Sequence, residues 1–446
     1  MLKIIQNLVN FFKNTANIFK QQEKSFKFNV VRVILAHFFI YLVLPLQSIY
    51  VISLGLSPAQ LGWVTGSAGI IGGVVSFLAA KKVKTYSLKN YFLMTLLCIS
   101  VGSFLLAIAK NTFMASLGIG TFMFSWYAMM HLCPAVCGLC LNNDIRVTAM
   151  QTCDMLASLP KVVAPMVGSS LVIAFRGKQN ITSGIPFLYY IATLGFCLTF
   201  ILVWKWFSDP NFLIRTREMN FDRQDVNRSG GIQDLFKQRK GTNLKLLVLT
   251  LSLIQVPWFI STIFVPLFAQ QAKGANALTI GLMQSAFWGC TLLLAIPAGR
   301  LADRIGRKSS ITIFLVISII AFLCLIAAQS QLVLIISGFL QGFLFFSLVT
   351  SGGMSAESVP KMFIVEWFGF QGLIKGLMAQ LGPVIGGTLW GFFGPYSAIF
   401  LMIGCQLAAI LLLRMLPETQ GGLSSKISVS TSEIIKQNLA ETNLDN

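Results

Sequence analysis

Charged residues are scarce in this chain, and this restricts what the protein can be. Only 11% of the 446 residues are charged and 55% are hydrophobic, whereas a soluble domain has about 25% charged residues. No catalytic constellation is visible, and the chain has no nucleotide-binding loop of the type Gly-x-x-x-x-Gly-Lys-Ser/Thr. We therefore expect neither an enzyme nor a protein driven by ATP.

Signals of other protein classes are also missing. Residues 1–28 lack a continuous apolar core long enough for a cleavable signal peptide. The nine cysteines lie in apolar stretches or at their ends, which argues against a disulfide framework. Cys133, Cys137 and Cys140 have the spacing of an iron–sulfur site, but they lie on an apolar helix without a loop to enclose a cluster. No metal or cofactor is expected.

Long apolar runs are abundant. A membrane-spanning helix needs about 20 mostly apolar residues, and twelve runs meet this length. They cover approximately residues 30–53, 58–80, 88–109, 113–139, 147–175, 185–207, 245–269, 278–298, 309–328, 332–351, 362–392 and 396–416. The sequence therefore predicts an all-α membrane protein with twelve transmembrane helices.

The net charge of +19 has a topological explanation. If both termini are cytoplasmic, 28 of the 34 Lys and Arg residues fall in cytoplasmic segments, and the opposite side holds only Lys110, Arg176, Lys178 and Lys273. Such an excess on the cytoplasmic side is the positive-inside pattern. We expect contact with anionic lipid headgroups of the bilayer rather than with nucleic acid. Since we find no organelle-targeting signal in the sequence, the expected location is the plasma (inner) membrane.

The charge distribution also divides the chain. A basic leader (1–29) precedes the first six helices (30–207), a polar linker (208–243) follows, and the second six helices (244–416) precede a Ser/Thr/Asn-rich tail (417–446). The leader can be an amphipathic helix on the inner leaflet or a partly disordered basic segment. We expect the tail to be disordered.

The two six-helix halves look like repeats. Pro165 and Pro383 lie in matching Pro-Gly stretches 218 residues apart, and Gly62 and Gly281 lie 219 apart near the starts of helices 2 and 8. Small residues allow close helix packing in lipid, and proline loosens the backbone. We interpret these stretches as packing and hinge elements. Their residues are Pro165, Gly168, Gly382, Pro383, Gly386 and Gly387.

A basic loop follows helix 8 with the sequence Gly299-Arg-Leu-Ala-Asp-Arg-Ile-Gly-Arg-Lys308. Gly299 and Gly306 would allow a tight turn, while Arg304, Arg307 and Lys308 would keep the loop cytoplasmic. An acid at the membrane edge, here Asp303, is costly unless it finds a partner.

This loop resembles the signature of the major facilitator superfamily of secondary transporters. The resemblance covers residues 30–420 and implies two six-helix pseudo-repeat halves around a central site. In that family the loop acid contacts the cytoplasmic end of a helix in the other half. Here that is helix 5, which starts near Arg146, so we expect Asp303 to latch the halves on the inside. Ala80 stands where the first-half acid belongs, so any lock should be one-sided.

Two further resemblances are weaker. The helix 5 stretch is similar to the antiporter motif of the superfamily, but Pro160, Ala164 and Ser169 replace three of its glycines. The similarity of this stretch to the antiporter motif weakly favours export of a solute over uptake. The ending 416–421 resembles that of sugar porters, but the other sugar-porter marks are missing. We interpret it as a helix stop.

Ionisable residues inside the membrane are costly and are therefore candidates for substrate or proton binding. They are Asp154, Lys161, Glu366, Lys375, His37 and His131. The alternative is structural, with salt bridges between the halves or side chains that snorkel to the interface. For Glu366 we favour a salt bridge at a gate, and for the two histidines we favour polar packing.

Aromatic and amide side chains near helix centres suit a cavity with few polar groups. The family resemblance implies that helices 1, 4, 7 and 10 line this cavity. It nominates Gln47, Trp126, Tyr127, Gln255, Trp258 and Gln341, while Trp288 and Gln371 can contribute from the walls.

Together these features predict a monomeric secondary active transporter. It would move a small organic solute, with anions among the candidates, by alternating access, driven by protons or by a solute gradient. A sugar porter-like uptake carrier is one alternative. A transporter-like sensor or scaffold without transport is another.

Overall fold

The apolar runs form helices in a computed structural model that describes residues 24–81, 87–140, 146–175, 181–207, 240–359 and 364–418. The regular secondary structure of these ranges is all helical. The helices are α1 (Lys24–Ser53), α2 (Pro58–Lys81), α3 (Leu88–Ile108), α4 (Thr112–Cys140), α5 (Arg146–Ala174), α6 (Ile181–Trp206), α7 (Lys240–Lys273), α8 (Ala277–Ile305), α9 (Arg307–Ala327), α10 (Gln331–Glu357), α11 (Ile364–Phe393) and α12 (Tyr396–Met415).

The predicted count of twelve helices is confirmed within the described ranges. Ten of them are long and apolar enough to cross a membrane, judged by length and composition. A helix satisfies its own backbone hydrogen bonds, so it can lie in hydrocarbon without unpaired polar groups. Large apolar side chains such as Leu194 and Leu293 are more than 70% exposed, as lipid-facing residues should be. Most of the predicted leader (1–29) and tail (417–446) lies outside the described ranges, and α1 begins at Lys24, within the predicted leader.

The second six helices repeat the packing of the first six. In the first half, α1 packs on α5 and α6, α3 packs on α4 and α6, and α2 packs on α4. In the second half, α7 packs on α11 and α12, α9 packs on α10 and α12, and α8 packs on α10. Each pair in one half thus has a partner pair six helices later, as the sequence repeats predict.

The halves meet mainly at two crossings, α2 with α11 and α5 with α8, and α1 also contacts α7. Glycine makes both crossings possible. A Cβ atom at Gly281 would lie 2.6 Å from the Pro165 carbonyl oxygen, and one at Gly62 would overlap the Pro383 carbonyl. The two glycines and the two prolines are the residues related by the 218–219 offsets, so the repeat places them at equivalent crossings.

The α2–α11 crossing is tight at one end and open at the other. Along one face of α2, Gly62, Gly66 and Gly69 successively contact α11. Gly73 continues this face by one turn, and no described atom lies within 4 Å of its Cβ position. The same is true of Gly376, one turn before Gln380 on the facing side of α11. The two helices therefore diverge toward the end of α2 and the start of α11.

Candidate functional site

An aromatic cluster occupies the centre of the molecule where the halves meet. Most of its side chains are buried, and they come from both halves. The members of this central cluster are Tyr41 (α1), Trp126 and Tyr127 (α4), Trp258 and Phe259 (α7), Phe287 and Trp288 (α8) and Phe345 (α10).

Two ring contacts of the central cluster join the halves. Tyr41 meets Trp288 edge-to-face, with ring centroids 5.4 Å apart and planes at 90°. Tyr127 lies 5.6 Å from Phe259. Aromatic pairs in such arrangements contribute about 0.5–1.5 kcal/mol beyond their buried area. These contacts must break if the halves separate at the centre.

Lys161 adds a positive charge to the cluster. Its ammonium nitrogen lies 4.4 Å from the ring centroid of Trp288 and 5.9 Å from that of Tyr41. A lysine this close to an aromatic face is attracted by the ring quadrupole. Because Lys161 belongs to α5 and Trp288 to α8, this cation–π contact also links the halves, about one turn from the Pro165–Gly281 crossing.

A second polar side chain occupies the equivalent place at the other crossing. Gln380 of α11 packs against Gly69 of α2, and its side-chain amide is hydrogen-bonded to the Tyr127 hydroxyl. Gln380 is buried. Each crossing therefore carries one polar group, Lys161 or Gln380, at the level of the aromatic rings.

A small cavity adjoins the central cluster. It is about 30 Å³ in volume, which gives room for one or two water molecules. Its lining includes Tyr41, Trp258, Gln284, Phe287, Trp288 and Gln341. No Asp or Glu is among the described lining residues. The Gln341 amide donates a hydrogen bond to the Ser337 hydroxyl at 3.0 Å.

Several predicted residues come together at this site. Trp126, Tyr127 and Trp258 belong to the central cluster, Lys161 stacks on it, and Gln341 lines the cavity. The His37 ring lies 6.0 Å from Tyr41, at the edge of the cluster. The cavity itself is lined by α1, α7, α8 and α10, so α8 takes the place that the resemblance gave to α4.

Other cluster residues were missed by sequence reasoning. A signal for them was present in the repeat, because Tyr41 and Phe259 are 218 positions apart, as are Tyr127 and Phe345. Aromatic residues that recur at the repeat offset on inner helices would have been found by applying that offset to every ring. Gln380 follows Lys161 by 219 positions, so the same offset would also have marked Gln380.

Some predicted residues lie elsewhere. Gln47 is buried beside Tyr189 of α6, inside the first half. Gln371 accepts a hydrogen bond from the Ser355 hydroxyl of α10 at 2.7 Å. Lys375 is half-buried one turn after Gln371, and Gln255 is half-buried one turn before the cluster on α7. The side chains of His131, Arg146, Asp154 and Glu366 lie outside the described part of the structure.

Known proteins resemble the chain in both sequence and fold. The family model of the Major Facilitator Superfamily matches residues 247–440. Within the described ranges, the repeated six-helix halves extend this architecture to the first half. The matched range lies in the second six-helix half, so this half is similar to the major facilitator superfamily. The chain is a multi-pass integral membrane protein.

Individual relatives are distant. Multidrug resistance protein D of Escherichia coli (strain K12) is 27% identical over 194 residues, which span 41% of this chain and 47% of that protein. A solved structure of the nucleoside transporter NupG has a TM-score of 0.71 at 15% identity and covers 88% of this chain and 99% of its own. The peptide transporter POT in complex with sulfate has a TM-score of 0.66 at 13% identity, covering 88% and 93%. At these identities the solved structures show a shared fold.

The superfamily loop after α8 differs in shape from the expectation. Helix α8 continues to Ile305 and α9 begins at Arg307, so most of the motif is helical. Gly299 lies inside α8 with open space around its Cβ position, and its predicted place in a tight turn is wrong. The turn consists of Gly306 alone, whose φ of 95° favours glycine.

Charged groups of this loop pair within the second half. Arg307 lies 2.9 Å from the Asp303 carboxylate, one turn away, and 3.3 Å from Glu357 at the end of α10. The Asp303 side chain is 66% exposed. Because the described part of the structure omits the side chains at the start of α5, the predicted contact of Asp303 with that end stays a prediction.

The chain segment after α12 does more than stop a helix. Glu418 accepts a hydrogen bond from the Lys308 backbone amide at 2.8 Å, so its carboxylate caps the start of α9. The Lys308 ammonium group in turn donates to the Leu416 carbonyl oxygen at 2.6 Å. A Cβ atom at Gly306 would lie 2.8 Å from Glu418, which further restricts that position to glycine. The earlier interpretation as a simple helix stop is incomplete.

We expect Glu418→Ala to destabilise the start of α9. A capping carboxylate at a helix N-terminus contributes about 0.5–2 kcal/mol, so the thermal midpoint of the purified protein should fall by a few degrees, on the order of 2–4 °C. Ser309→Ala is the matched control, since its hydroxyl is at the limit of hydrogen bonding to Glu418 at 3.5 Å. Equal midpoints for Glu418→Ala and the wild type would contradict the capping role.

Proposed function

We propose that this protein is a secondary transporter that moves a small organic solute across the membrane by alternating access. The observation that carries the proposal is the arrangement of the two halves. They cross tightly at one end of α2 and α11, diverge at the other, and enclose the central cluster between them. A rocking motion about this cluster would expose it to each side in turn.

The orientation follows from the basic residues. The diverging end of α2 leads into the segment that contains Lys82 and Lys84, and α8 ends next to Arg304, Arg307 and Lys308. With the positive-inside rule, this end faces the cytoplasm and both termini are cytoplasmic. The arrangement described above would then be open toward the cytoplasm and closed toward the outside. We propose a proton or solute gradient as the driving force and a monomer as the working unit.

Counterflow in proteoliposomes tests the proposal. A thermal-shift screen of the purified protein against metabolites and drugs at two pH values first identifies a ligand, since a ligand stabilises the state it binds. Liposomes loaded with unlabelled ligand should then accumulate radiolabelled ligand transiently, whereas protein-free liposomes should not. A ligand that binds but gives no counterflow would overturn transport in favour of a sensor or scaffold.

A second prediction concerns the proposed inside latch. We propose that Asp303 leaves Arg307 and contacts the start of α5 when the cytoplasmic side closes. Asp303→Asn should then disfavour the inside-closed state. A coupling of about 1–3 kcal/mol corresponds to about a 5–150-fold change in the balance of states, and counterflow should slow accordingly. Asp303→Glu, which keeps the charge, is the control. Unchanged counterflow in Asp303→Asn would remove the latch from the mechanism.

A further inference from the structure

We propose that the central cluster binds a flat aromatic anion, such as an aromatic carboxylate, with its ring among the cluster rings and its charge on Lys161. The inference rests on the proposed transport function, because it names the substrate class for the same central site. Two independent features of the site support it, namely the ring contacts that separation would break and the charge at the crossing.

The first feature is the density of ring contacts. The Trp258 ring lies 5.5 Å from Phe287, 5.7 Å from Trp288 and 5.6 Å from Phe345. When the halves part, Trp288 loses its contact with Tyr41 and Tyr127 loses its contact with Phe259. Each lost pair removes a favourable ring–ring contact. A flat aromatic solute that enters between the halves restores edge and face contacts to these rings, whereas a saturated solute of the same size restores only apolar burial.

The second feature is the sign of the charge. Lys161 places an ammonium group over Trp288, and the adjoining cavity is lined by polar groups such as the amides of Gln284 and Gln341. In a low-dielectric site this ammonium group attracts a carboxylate and repels a cation. The amide of Gln284 can hydrogen-bond a further polar substituent.

The small cavity adds a condition. With space for only one or two water molecules, the site cannot hold an aromatic carboxylate without movement of the rings. Binding must therefore select an arrangement in which the halves have moved apart at the centre. This agrees with a cluster built from both halves, and it means that the ligand should change the environment of the cluster tryptophans.

The test uses isothermal titration calorimetry of the full-length protein in nanodiscs. The probes are 2-naphthoate, the neutral 2-naphthamide, the saturated decalin-2-carboxylate and the cationic 2-naphthylmethylammonium ion. We expect 2-naphthoate to bind at least about ten-fold more tightly than each of the other three, since each of them lacks either the charge contact or the ring contact and ten-fold corresponds to about 1.4 kcal/mol. If decalin-2-carboxylate binds as tightly, the aromatic part of the inference is wrong.

Variants separate the charge from the fold. Lys161→Met should weaken 2-naphthoate at least about ten-fold and leave 2-naphthamide unchanged, while Lys161→Arg should retain naphthoate binding. Unchanged naphthamide binding also shows that the variant is folded. Lys205→Met is a matched control, because Lys205 stacks on Trp206 at 5.3 Å outside the cluster, and it should bind both probes normally. If Lys161→Met binds naphthoate as the wild type does, the assignment of the charge to Lys161 is overturned.

Failure of this inference differs from failure of the transport proposal. If another class of ligand shows counterflow while 2-naphthoate does not bind, transport stands and the aromatic anion is wrong. If 2-naphthoate binds with the expected selectivity but shows no counterflow, the binding site stands and transport is wrong.

Discussion

Counterflow by this protein should fall by at least about ten-fold when Gly62 or Gly281 is replaced by valine. At Gly281, a Cβ atom alone would lie 2.6 Å from the Pro165 carbonyl oxygen, and at Gly62 it would lie 3.2 Å from the Gly387 Cα in addition to overlapping Pro383. The obstructing atoms belong largely to helix backbone, so they cannot move aside as a flexible side chain would. The crossing must widen, and the closed end opens.

The size of this effect follows from packing. Inserting extra carbon atoms into a close contact costs about 1–3 kcal/mol, and applied to only one of two alternating states this shifts their balance by about 5–150-fold. A transporter that cannot close one end leaks or stalls. Both substitutions should act alike, because the repeat places Gly62 and Gly281 at equivalent crossings.

A control is available on a helix outside the two crossings. Gly404 of α12 is exposed, and no described atom lies within 4 Å of its Cβ position. Gly404→Val introduces the same side chain and the same change of helix propensity without the clash. It should transport within about two-fold of the wild type, since surface substitutions usually change stability by less than about 0.5 kcal/mol. If all three variants lose transport equally, the crossings are not the cause.

A reversible block of transport is expected from a disulfide across the closed end. A Cβ atom at Gly391 would lie 3.7 Å from the Cβ of Ala59, and disulfide-bonded cysteines have Cβ atoms about 3.8 Å apart. The double variant Ala59→Cys/Gly391→Cys should therefore cross-link α2 to α11 under mild oxidation. Because alternating access requires these ends to separate, counterflow should fall to the background level and return when a reductant is added.

The matching pair at the diverging end supplies the control. Gly73→Cys and Gly376→Cys lie on the facing sides of α2 and α11, each with open space around it. They should not cross-link in the described arrangement, and the native free cysteines, such as Cys98 and Cys197, are accounted for by oxidising the wild type. Rapid cross-linking at the Gly73–Gly376 pair with none at Ala59–Gly391 would mean that the halves close at the opposite end.

Several elements of this fold could be predicted because the bilayer imposes them. Hydrocarbon tolerates only helices of sufficient length, so twelve apolar runs became twelve helices, and their order follows from the chain. The offset between Pro165 and Pro383 survived in the structure because equivalent crossings need the same small residues. Helix ends were less accurate, since α8 extends through a basic motif that hydropathy alone would assign to a loop.

The site was predicted in part. Trp126, Tyr127 and Trp258 were nominated from residue type and from the helices that the family resemblance placed around the cavity, and Lys161 from its charge within an apolar helix. These four residues do converge. Gln47 was nominated as an amide side chain near a helix centre, but it lies against α6. Hydropathy does not say which face of a buried helix meets which neighbour. Gln380 corresponds to Lys161 at the 219-residue offset, but its contact with Gly69 depends on the approach of α2.

The sequence by itself determined the number of helices, the two-fold repetition and the clustering of charge, because these follow from solvation of each segment by lipid or water. Only the tertiary structure decided the rest. It selected which end of the crossings is tight, stacked Lys161 on Trp288, and brought Glu418 to the start of α9 across 110 residues of chain. These are contacts between side chains distant in sequence, and their energies depend on geometry within a few ångströms that no local pattern specifies.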